Sequence, residues 1–197
     1  MITTGEGGMA LTNDEELAWK MSLLRSHAIT RDPTRMERRP EGRWYYEQIE
    51  LGYNYRMSDI QAALGLSQLS RLEQITGVRN ALAQEYRKRL AGLPLGFQSV
   101  SPGNRSSYHL FVVRLLNSAG PKDHRDVFHE LRESGIGVNL HYMPVHLQPY
   151  YRKLGFAPGM YPESELHGRS ALTLPLYTDL TTESMDKVVQ SVTCACE

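Results

Sequence analysis

The densest group of polar and aromatic side chains in this sequence lies at residues 52–59, directly before a long helical pattern. Asn54 and Arg56 stand two residues apart, so in an extended segment their amide and guanidinium groups share one face. Tyr53 and Tyr55 then share the opposite face. An amide donor beside a guanidinium suits a phosphate or a carboxylate. The same pattern also fits a helix-entry segment with buried tyrosines, and the residues alone leave both interpretations open.

A second candidate group lies in the segment His141-Tyr142-Met143-Pro144-Val145-His146. Its two histidines flank a proline in a predicted loop after a strand, a position from which a side chain can face a pocket. Ordinary loop histidines fit this segment equally well. The seven histidines include no H-E-x-x-H motif, and Cys194 and Cys196 would need further ligands from elsewhere in the fold. The sequence therefore predicts no metal site.

Three glycines in four positions, Gly5-Glu6-Gly7-Gly8, form a third candidate. Consecutive glycine N–H groups can form a nest that binds an anion such as a phosphate. The segment lacks the Lys-Ser/Thr of a P-loop and the spacing of a dinucleotide fingerprint, so a tight turn is the simpler interpretation. We expect this turn to lead into a short strand at residues 9–12.

These candidates depend on the helices that position them. Asn13-Asp14 is predicted to cap a helix that runs to about Leu24. Residues 31–50 have turn chemistry and no period, which predicts a long loop, and its aromatic side chains at 44–46 suit contacts with another subunit. From Ser58-Asp59 the apolar spacing predicts one helix to about residue 91, which links two lobes or bends near Gly77.

The second half of the sequence alternates strand and helix patterns, which is typical of an α/β or α+β lobe. The predicted strands cover residues 108–116 and 136–140. The predicted helices cover residues 122–134, 162–169 and 181–192. The segment that begins with His141 directly follows the second of these strands.

Composition and charge exclude several functional classes. The chain has 197 residues with 22 basic and 22 acidic side chains, and this balance argues against a basic nucleic-acid-binding protein. No apolar run approaches the roughly 20 residues of a membrane span. The first residues have no secretion-signal pattern and the two cysteines are expected to be free thiols, so we expect a cytoplasmic protein. The strand predicted near the start has no preceding elements to pair with, and we expect a chain truncated at its N-terminus.

A series of motifs is also recognisable along essentially the whole chain. In order, they are ITTGEGG at 2–8, LRSH at 24–27, LGYNYRM at 51–57, QAALG at 61–65, YHL at 108–110, GIGVNLHYMPVH at 135–146, YPE at 161–163 and LPLY at 174–177. Together they resemble the DegT/DnrJ/StrS sugar aminotransferase family. Within that family, residues 25–33 and 44–47 look most like the members of the pseudaminic acid pathway, which form a UDP-linked 4-amino-4,6-dideoxy sugar.

The resemblance implies an α/β fold, the C-terminal part of a type I pyridoxal-phosphate-dependent transferase. Residues 1–57 then form the end of the large cofactor-binding domain with an interface loop, residues 58–92 a long linking helix, and residues 93–197 the small C-terminal α/β domain. The family works as a homodimer with active sites at the subunit interface. Ala28 stands where the family often has glycine.

The family cofactor is pyridoxal 5'-phosphate, an electron sink that a lysine holds as a Schiff base. In the family that lysine stands just before the Ile-Thr-Thr-Gly segment, so we expect it to precede Met1, and we expect this chain alone to hold no covalent cofactor and to be inactive. Asn54 matches the family asparagine that reaches across the dimer to the partner's cofactor phosphate. The resemblance gives sugar-nucleotide contacts to Asn139, Leu140, His141 and Tyr142, with Arg56 and His146 as further candidates.

The resemblance thus predicts the C-terminal portion of an aminotransferase that moves an amino group from glutamate to C4 of a UDP-linked 4-keto-6-deoxy-hexosamine. Glutamate, the UDP-sugar and a second copy of the chain are the expected partners, and nucleic acids and membranes are not. The alternative is a non-catalytic dimerisation or binding fragment. The sequence is compatible with both.

Overall fold

The computed structural model describes residues 2–116 and 122–196, which form two compact units. The first unit ends at Arg71 and the second begins at Leu72. The first contains α1 (Glu15–Leu24), β1 (Ile29–Thr30), β2 (Glu47–Gln48) and α2 (Asp59–Leu69). The second contains α3 (Leu72–Arg89), β3 (Leu95–Phe97), β4 (Phe111–Leu115), α4 (His124–Glu133), a 3₁₀ turn (Val145–Leu147), α5 (Pro149–Lys153), α6 (Pro162–Ser170), β5 (Ala171–Leu174) and α7 (Thr182–Cys196).

Helix α1 begins where the sequence predicts, because Asp14 caps it. The Asp14 carboxylate accepts the backbone N–H of Leu17 at 3.0 Å, which satisfies one of the free donors of the first turn. The chain leaves α1 through a left-handed turn at His27 (φ 62°) and Ala28 (φ 51°). Residues with a Cβ rarely adopt this region, whereas glycine adopts it without steric cost.

The helix predicted over residues 58–91 is in fact two helices. Ser58 begins α2 with a capping box, in which the Gln61 side chain accepts the Ser58 N–H at 3.0 Å. After α2, the N–H of Arg71 bonds the carbonyl three residues before it, which tightens the chain into a turn and ends the helix. Gly77, the predicted bend, lies inside α3. The prediction of one continuous helix is therefore wrong, while the three-domain division stays a prediction.

The core of the second unit lies on one face of an antiparallel sheet with the strand order β3-β4-β5. Phe111 of β4 lies opposite Leu174 of β5, and the alternate side chains Phe111 and Val113 are each 1% exposed. Residues of α3, α4 and α7 complete this core. Tyr86 of α3 is fully buried, and its hydroxyl donates to the Pro175 carbonyl at 2.9 Å.

The remaining predictions for the second half have mixed outcomes. Helices α4, α6 and α7 lie where the sequence predicts them, and the strand predicted over residues 108–116 is confirmed over the shorter range of β4. The strand predicted over residues 136–140 is wrong. The Ile136 N–H bonds the Leu131 carbonyl of α4, and the Val138 N–H bonds the Ile136 carbonyl. Only Asn139 pairs, in an isolated bridge with Thr173.

The strand predicted at residues 9–12 is wrong as well. These residues are exposed and irregular. A strand needs a hydrogen-bonded neighbour, and no segment of the described chain forms a ladder with them.

Candidate functional site

Asn54 and Arg56 share one face of an extended segment, as their alternation predicts. The Arg56 Nε donates to the Asn54 Oδ1 at 3.2 Å. On the other face the rings of Tyr53 and Tyr55 stack, with their centroids 4.9 Å apart. Tyr53 is 49% exposed and Tyr55 is 72% exposed, so the interpretation as a segment with buried tyrosines is wrong.

The end of α1 and the turn after it hold this segment in place. The Tyr53 N–H donates to the Leu24 carbonyl and the Tyr53 carbonyl accepts the His27 N–H, both at 2.8 Å. Gly52 packs against the peptide that joins His27 to Ala28, where a Cβ would collide with the backbone. The backbone that carries Asn54 is therefore held by main-chain hydrogen bonds and by the close packing of Gly52.

The donor set of Asn54 and Arg56 fits a phosphate. A guanidinium has no acceptor atom, so its bond turns the Asn54 oxygen toward Arg56 and leaves the amide NH₂ group for another partner. Both side chains are exposed. Amide and guanidinium N–H groups presented together are the donors that phosphate oxygens accept. The pair therefore fits the phosphate of the cofactor that the family resemblance implies.

The predicted sugar-nucleotide residues lie in the second unit, in the loop that precedes the 3₁₀ turn. Asn139 is exposed, and its side-chain oxygen accepts the Leu140 N–H at 2.9 Å. Tyr142 is 71% exposed, and its ring meets the His141 ring edge-on at a centroid distance of 4.7 Å. An amide, an imidazole and a phenol thus follow one another along this loop.

His141 is half-buried and is held from two elements. Its Nδ1 lies 2.9 Å from the Oγ1 of Thr173 on β5, and its carbonyl oxygen lies 3.1 Å from the Nε2 of His167 on α6. The contact through Nδ1 leaves Nε2 as the ring nitrogen with which His141 can contact a ligand.

His146 has a different environment. It is only 7% exposed, and its Nε2 lies 3.0 Å from the Oε1 of Glu165, which is 8% exposed. The same carboxylate oxygen accepts the Gly159 N–H at 2.6 Å. The hydrogen bonds from His146 and Gly159 lower the pKa of the Glu165 carboxyl group. Substrate contact by His146 stays a prediction, and the geometry places this histidine in the support of the loop.

Three residues that contact this loop are absent from the sequence predictions. Glu165, His167 and Thr173 lie 19, 26 and 32 residues after the groups they contact. Local spacing carries no signal at such separations, so only the fold reveals these contacts.

A groove of about 670 Å³ lies beside the sheet of the second unit. Arg79 of α3 is 6% exposed and holds one edge of the groove, because it donates to the carbonyls of Tyr108 and His109 at 2.8 and 2.7 Å. Arg114 and His167 line the groove, and the Arg114 Nε is buried with no hydrogen-bond partner among the described residues. The buried guanidinium of Arg79 thus fixes the Tyr-His-Leu motif.

The remaining candidates from the sequence give no further site. Gly5 has a φ of 79°, as a tight turn requires, and the Glu6 carbonyl accepts from the Gln61 amide at 2.8 Å. Within residues 2–116 and 122–196, no three histidine, cysteine or acidic side chains come close enough to hold a metal ion. In the same residues, no helix has both the length and the apolar character needed to cross a membrane.

Curated relatives match nearly the whole chain. An uncharacterised protein of Methanocaldococcus jannaschii, MJ1066, is 38% identical over 97% of this chain and 50% of its own length. The spore coat polysaccharide biosynthesis protein SpsC of Bacillus subtilis is 34% identical over the same two shares. The chain therefore spans about half the length of the curated relatives it matches.

Solved structures of sugar aminotransferases also match nearly the whole chain. The PMP-form of the putative sugar aminotransferase Spr1654 from Streptococcus pneumoniae is 28% identical, with a TM-score of 0.81 over 96% of this chain and 47% of that one. Helicobacter pylori PseC, an aminotransferase involved in the biosynthesis of pseudoaminic acid, is also 28% identical, with a TM-score of 0.77 over 94% of this chain and 47% of that one. The predicted fold class is confirmed.

The model of the DegT/DnrJ/EryC1/StrS aminotransferase family matches residues 1–193. This match covers almost the whole chain, and it agrees with the motifs, the relatives and the fold. The chain belongs to the DegT/DnrJ/EryC1/StrS aminotransferase family.

Proposed function

We propose that this chain is the C-terminal portion of a pyridoxal-phosphate-dependent nucleotide-sugar aminotransferase. In the whole enzyme, glutamate gives its amino group to C4 of a UDP-linked 4-keto-6-deoxy-hexosamine. Family membership and the names of SpsC and PseC support a role in sugar biosynthesis. The motifs at residues 25–33 and 44–47 support the choice of sugar.

The observation that carries this proposal is the orientation of Asn54. Its oxygen is taken by the Arg56 guanidinium, so its NH₂ group remains available to donate to a phosphate. Asn54 binds the phosphate of pyridoxal phosphate, and Arg56 contacts the substrate. When bound, the cofactor supplies the electron sink and carries the amino group between the two substrates.

The loop from Asn139 to Tyr142 binds the sugar nucleotide. The exposed amide and phenol can hydrogen-bond ring hydroxyls or the diphosphate, and His141 offers its Nε2 in an orientation set by Thr173. Leu140, which lies between Asn139 and His141 in the sequence, is half-buried. His146 contributes through the conformation of the loop, because its ring is buried against Glu165.

The lysines of this chain have no Schiff-base role in the proposal. Lys122, for example, already pairs with Glu130 at 2.9 Å. We therefore propose that the chain alone is inactive as an aminotransferase, and that the whole enzyme works in the cytoplasm.

The whole enzyme is a homodimer in this proposal. Helix α2 supports this, because none of its residues is buried. Even its apolar residues Ile60 and Leu69 are 85% and 52% exposed. Exposed apolar side chains of this kind are typical of a surface that another chain covers. The same side chains support the second candidate function, a dimerisation module without catalysis.

Transfer of ¹⁵N from labelled glutamate to the UDP-4-keto sugar tests the proposal. The assay uses a polypeptide of full family length that contains this chain. Asn54→Ala is expected to lower the transfer rate and the affinity for pyridoxal phosphate, while the exposed Asn104→Ala leaves both unchanged. Transfer to another keto compound but not to this sugar would show that the proposed substrate is wrong. Absence of all transfer would favour the dimerisation module.

A further inference from the structure

The loop before the 3₁₀ turn has a supported side and an exposed side. Pro144 and His146 are buried, while Tyr142, Met143 and Val145 are exposed at 71%, 60% and 56%. This alternation means that one side of the loop rests on the fold and the other faces outward. The exposed side includes the phenol that the proposed function gives to substrate binding.

Helix α6 supplies most of the support. Its Gly168 lies so close to Pro144 that a Cβ at this glycine would stand 2.7 Å from the proline Cδ. Its His167 contacts the His141 carbonyl, and its Glu165 contacts His146. Three residues of one helix thus contact the loop near its start, middle and end.

Glu165 makes two hydrogen bonds through one carboxylate oxygen. Its Oε1 accepts from the His146 Nε2 and from the Gly159 N–H, so one buried carboxylate oxygen joins the 3₁₀ turn to the segment before α6. Because the carboxylate accepts, the His146 Nε2 carries a proton. A buried carboxylate is stable only when it is hydrogen-bonded or paired, and these two donors meet that requirement. Its Oε2 faces Arg169 at 3.8 Å.

We propose that Glu165 is a positioning residue for nucleotide-sugar binding. It holds His146 and thereby fixes the backbone of the loop that carries Tyr142 and His141. This inference rests on the proposed function, because it gives the loop from Asn139 to Tyr142 to the sugar nucleotide. Glu165 itself touches no substrate.

Amide hydrogen exchange of this chain tests the first step. The N–H groups of Leu147 and Gln148 bond the Pro144 and Val145 carbonyls at 3.1 and 3.0 Å and report on the turn. Glu165→Ala is expected to speed their exchange by about tenfold or more, because the buried partners lose their acceptor. Amides of β4 should keep their rates, which shows that the variant folds.

Two further variants separate the causes. Glu165→Gln keeps an acceptor oxygen and is expected to restore slow exchange. Glu163→Gln changes an exposed residue of the same helix and is expected to have no effect. Unchanged exchange at Leu147 and Gln148 in Glu165→Ala would overturn the inference, and so would faster exchange of the whole unit in both Glu165 variants.

The second step is tested in a polypeptide of full family length. Glu165→Ala is expected to raise the KM for the UDP-4-keto sugar about tenfold, to leave the glutamate half-reaction within about twofold, and to be rescued by Glu165→Gln. Faster exchange with an unchanged KM would show that Glu165 does not position the loop for sugar binding, which overturns the inference. If His141→Ala raises that KM in the same assay, the proposed function survives; if it does not, that function fails too.

Discussion

At the scale of single residues, the chemistry of each candidate follows from what its hydrogen bonds leave free. The Asn54 oxygen is taken by Arg56, so this amide presents donors, which suit an anion. His141 is held at Nδ1 and presents Nε2, which donates or accepts according to its protonation. An amide that only donates suits a phosphate, whereas a ring nitrogen that donates or accepts suits a sugar hydroxyl. The two sites should therefore respond differently to substitution.

His141→Ala should damage only one half of the reaction. In a polypeptide of full family length, we expect weaker amination of the keto sugar, since one lost buried contact costs on the order of 1 to 3 kcal/mol, up to about a hundredfold in affinity. The glutamate half-reaction and the absorption spectrum of the cofactor should stay nearly unchanged. Stopped-flow spectra of each half-reaction measure both effects.

Thr173→Val provides the control for His141→Ala. It keeps the shape of the side chain and removes the hydroxyl that orients the His141 ring. We expect a smaller loss in the same half-reaction. Equal damage to both half-reactions by His141→Ala would instead assign His141 to the shared catalytic apparatus or to the fold.

Glu165 gives the second unit a defined acid sensitivity. Its pKa lies below the ordinary value of 4.5, chiefly because of the His146 hydrogen bond. A carboxyl group with a lowered pKa stabilises the fold above its unfolded value and loses that contribution as the pH falls through its folded value. The free energy of unfolding of the wild type should therefore decline below about pH 4.5 more steeply than that of Glu165→Gln. Parallel urea titrations would contradict this.

At the scale of elements, a left-handed turn and a glycine position Asn54. Gly52→Ala would drive a Cβ into the His27–Ala28 backbone, so the segment that carries Asn54 must move. We expect a loss of stability of at least about 1 to 3 kcal/mol, measured by denaturant titration, together with weaker cofactor binding in the full-length polypeptide.

Gly77→Ala is the matched control for Gly52→Ala. This glycine lies inside α3, and a methyl group on its Cα would meet no atom from outside the helix within 4 Å. Alanine there should stabilise the helix by up to about 1 kcal/mol, because glycine is a poor helix former. If the two glycine variants behaved alike, the collision at Gly52 would not determine the stability of the turn.

Local signals predicted the parts of this fold that local forces determine. Asp14 and Ser58 begin helices as their capping chemistry indicates, and the alternation around Asn54 gives the observed two faces. The end of α2 near Arg71 has no glycine or proline to mark it, so the apolar periodicity predicts one helix across this point. The apolar run before Asn139 resembles a strand, yet its N–H groups bond locally.

The side-chain contacts that hold the loop histidines cannot be predicted from the sequence for a similar reason. His141 and His146 have the same sequence pattern, loop histidines near a proline, but their environments differ because Thr173 and Glu165 approach them from elements later in the chain. A pattern of residue types contains no record of which distant side chain faces it. Only packing separates the half-buried histidine from the buried one.

At the scale of the whole molecule, the exposed apolar side chains of α2 should drive association. Ile60, Leu64 and Leu69 are exposed by 85%, 39% and 52%, and exposed apolar surface of this kind promotes self-association. We expect dimers or larger species of this chain in sedimentation velocity, and fewer of them for Ile60→Lys. Val100→Lys, at an exposed apolar residue of the second unit, should leave the distribution unchanged. A strictly monomeric chain at high concentration would remove the interface role of α2.

Sharing of active sites between subunits can be tested by mixing two impaired variants. If Asn54 binds the cofactor phosphate of the partner subunit, a full-length variant without the Schiff-base lysine and a second variant with Asn54→Ala should each be impaired alone. Mixed subunits should recover about a quarter of the wild-type activity, because half of the dimers then contain one complete site.

The reverse pairing removes the remaining ambiguity. A subunit that carries both changes, mixed with the wild type, forms heterodimers in which the wild-type lysine faces a partner with Asn54→Ala. If Asn54 acts across the interface, these heterodimers have no complete site; if it acts within its own subunit, they keep one. Recovery in the first mixture and loss in the second therefore assign Asn54 to the partner's cofactor, and the opposite pattern would confine it to its own subunit.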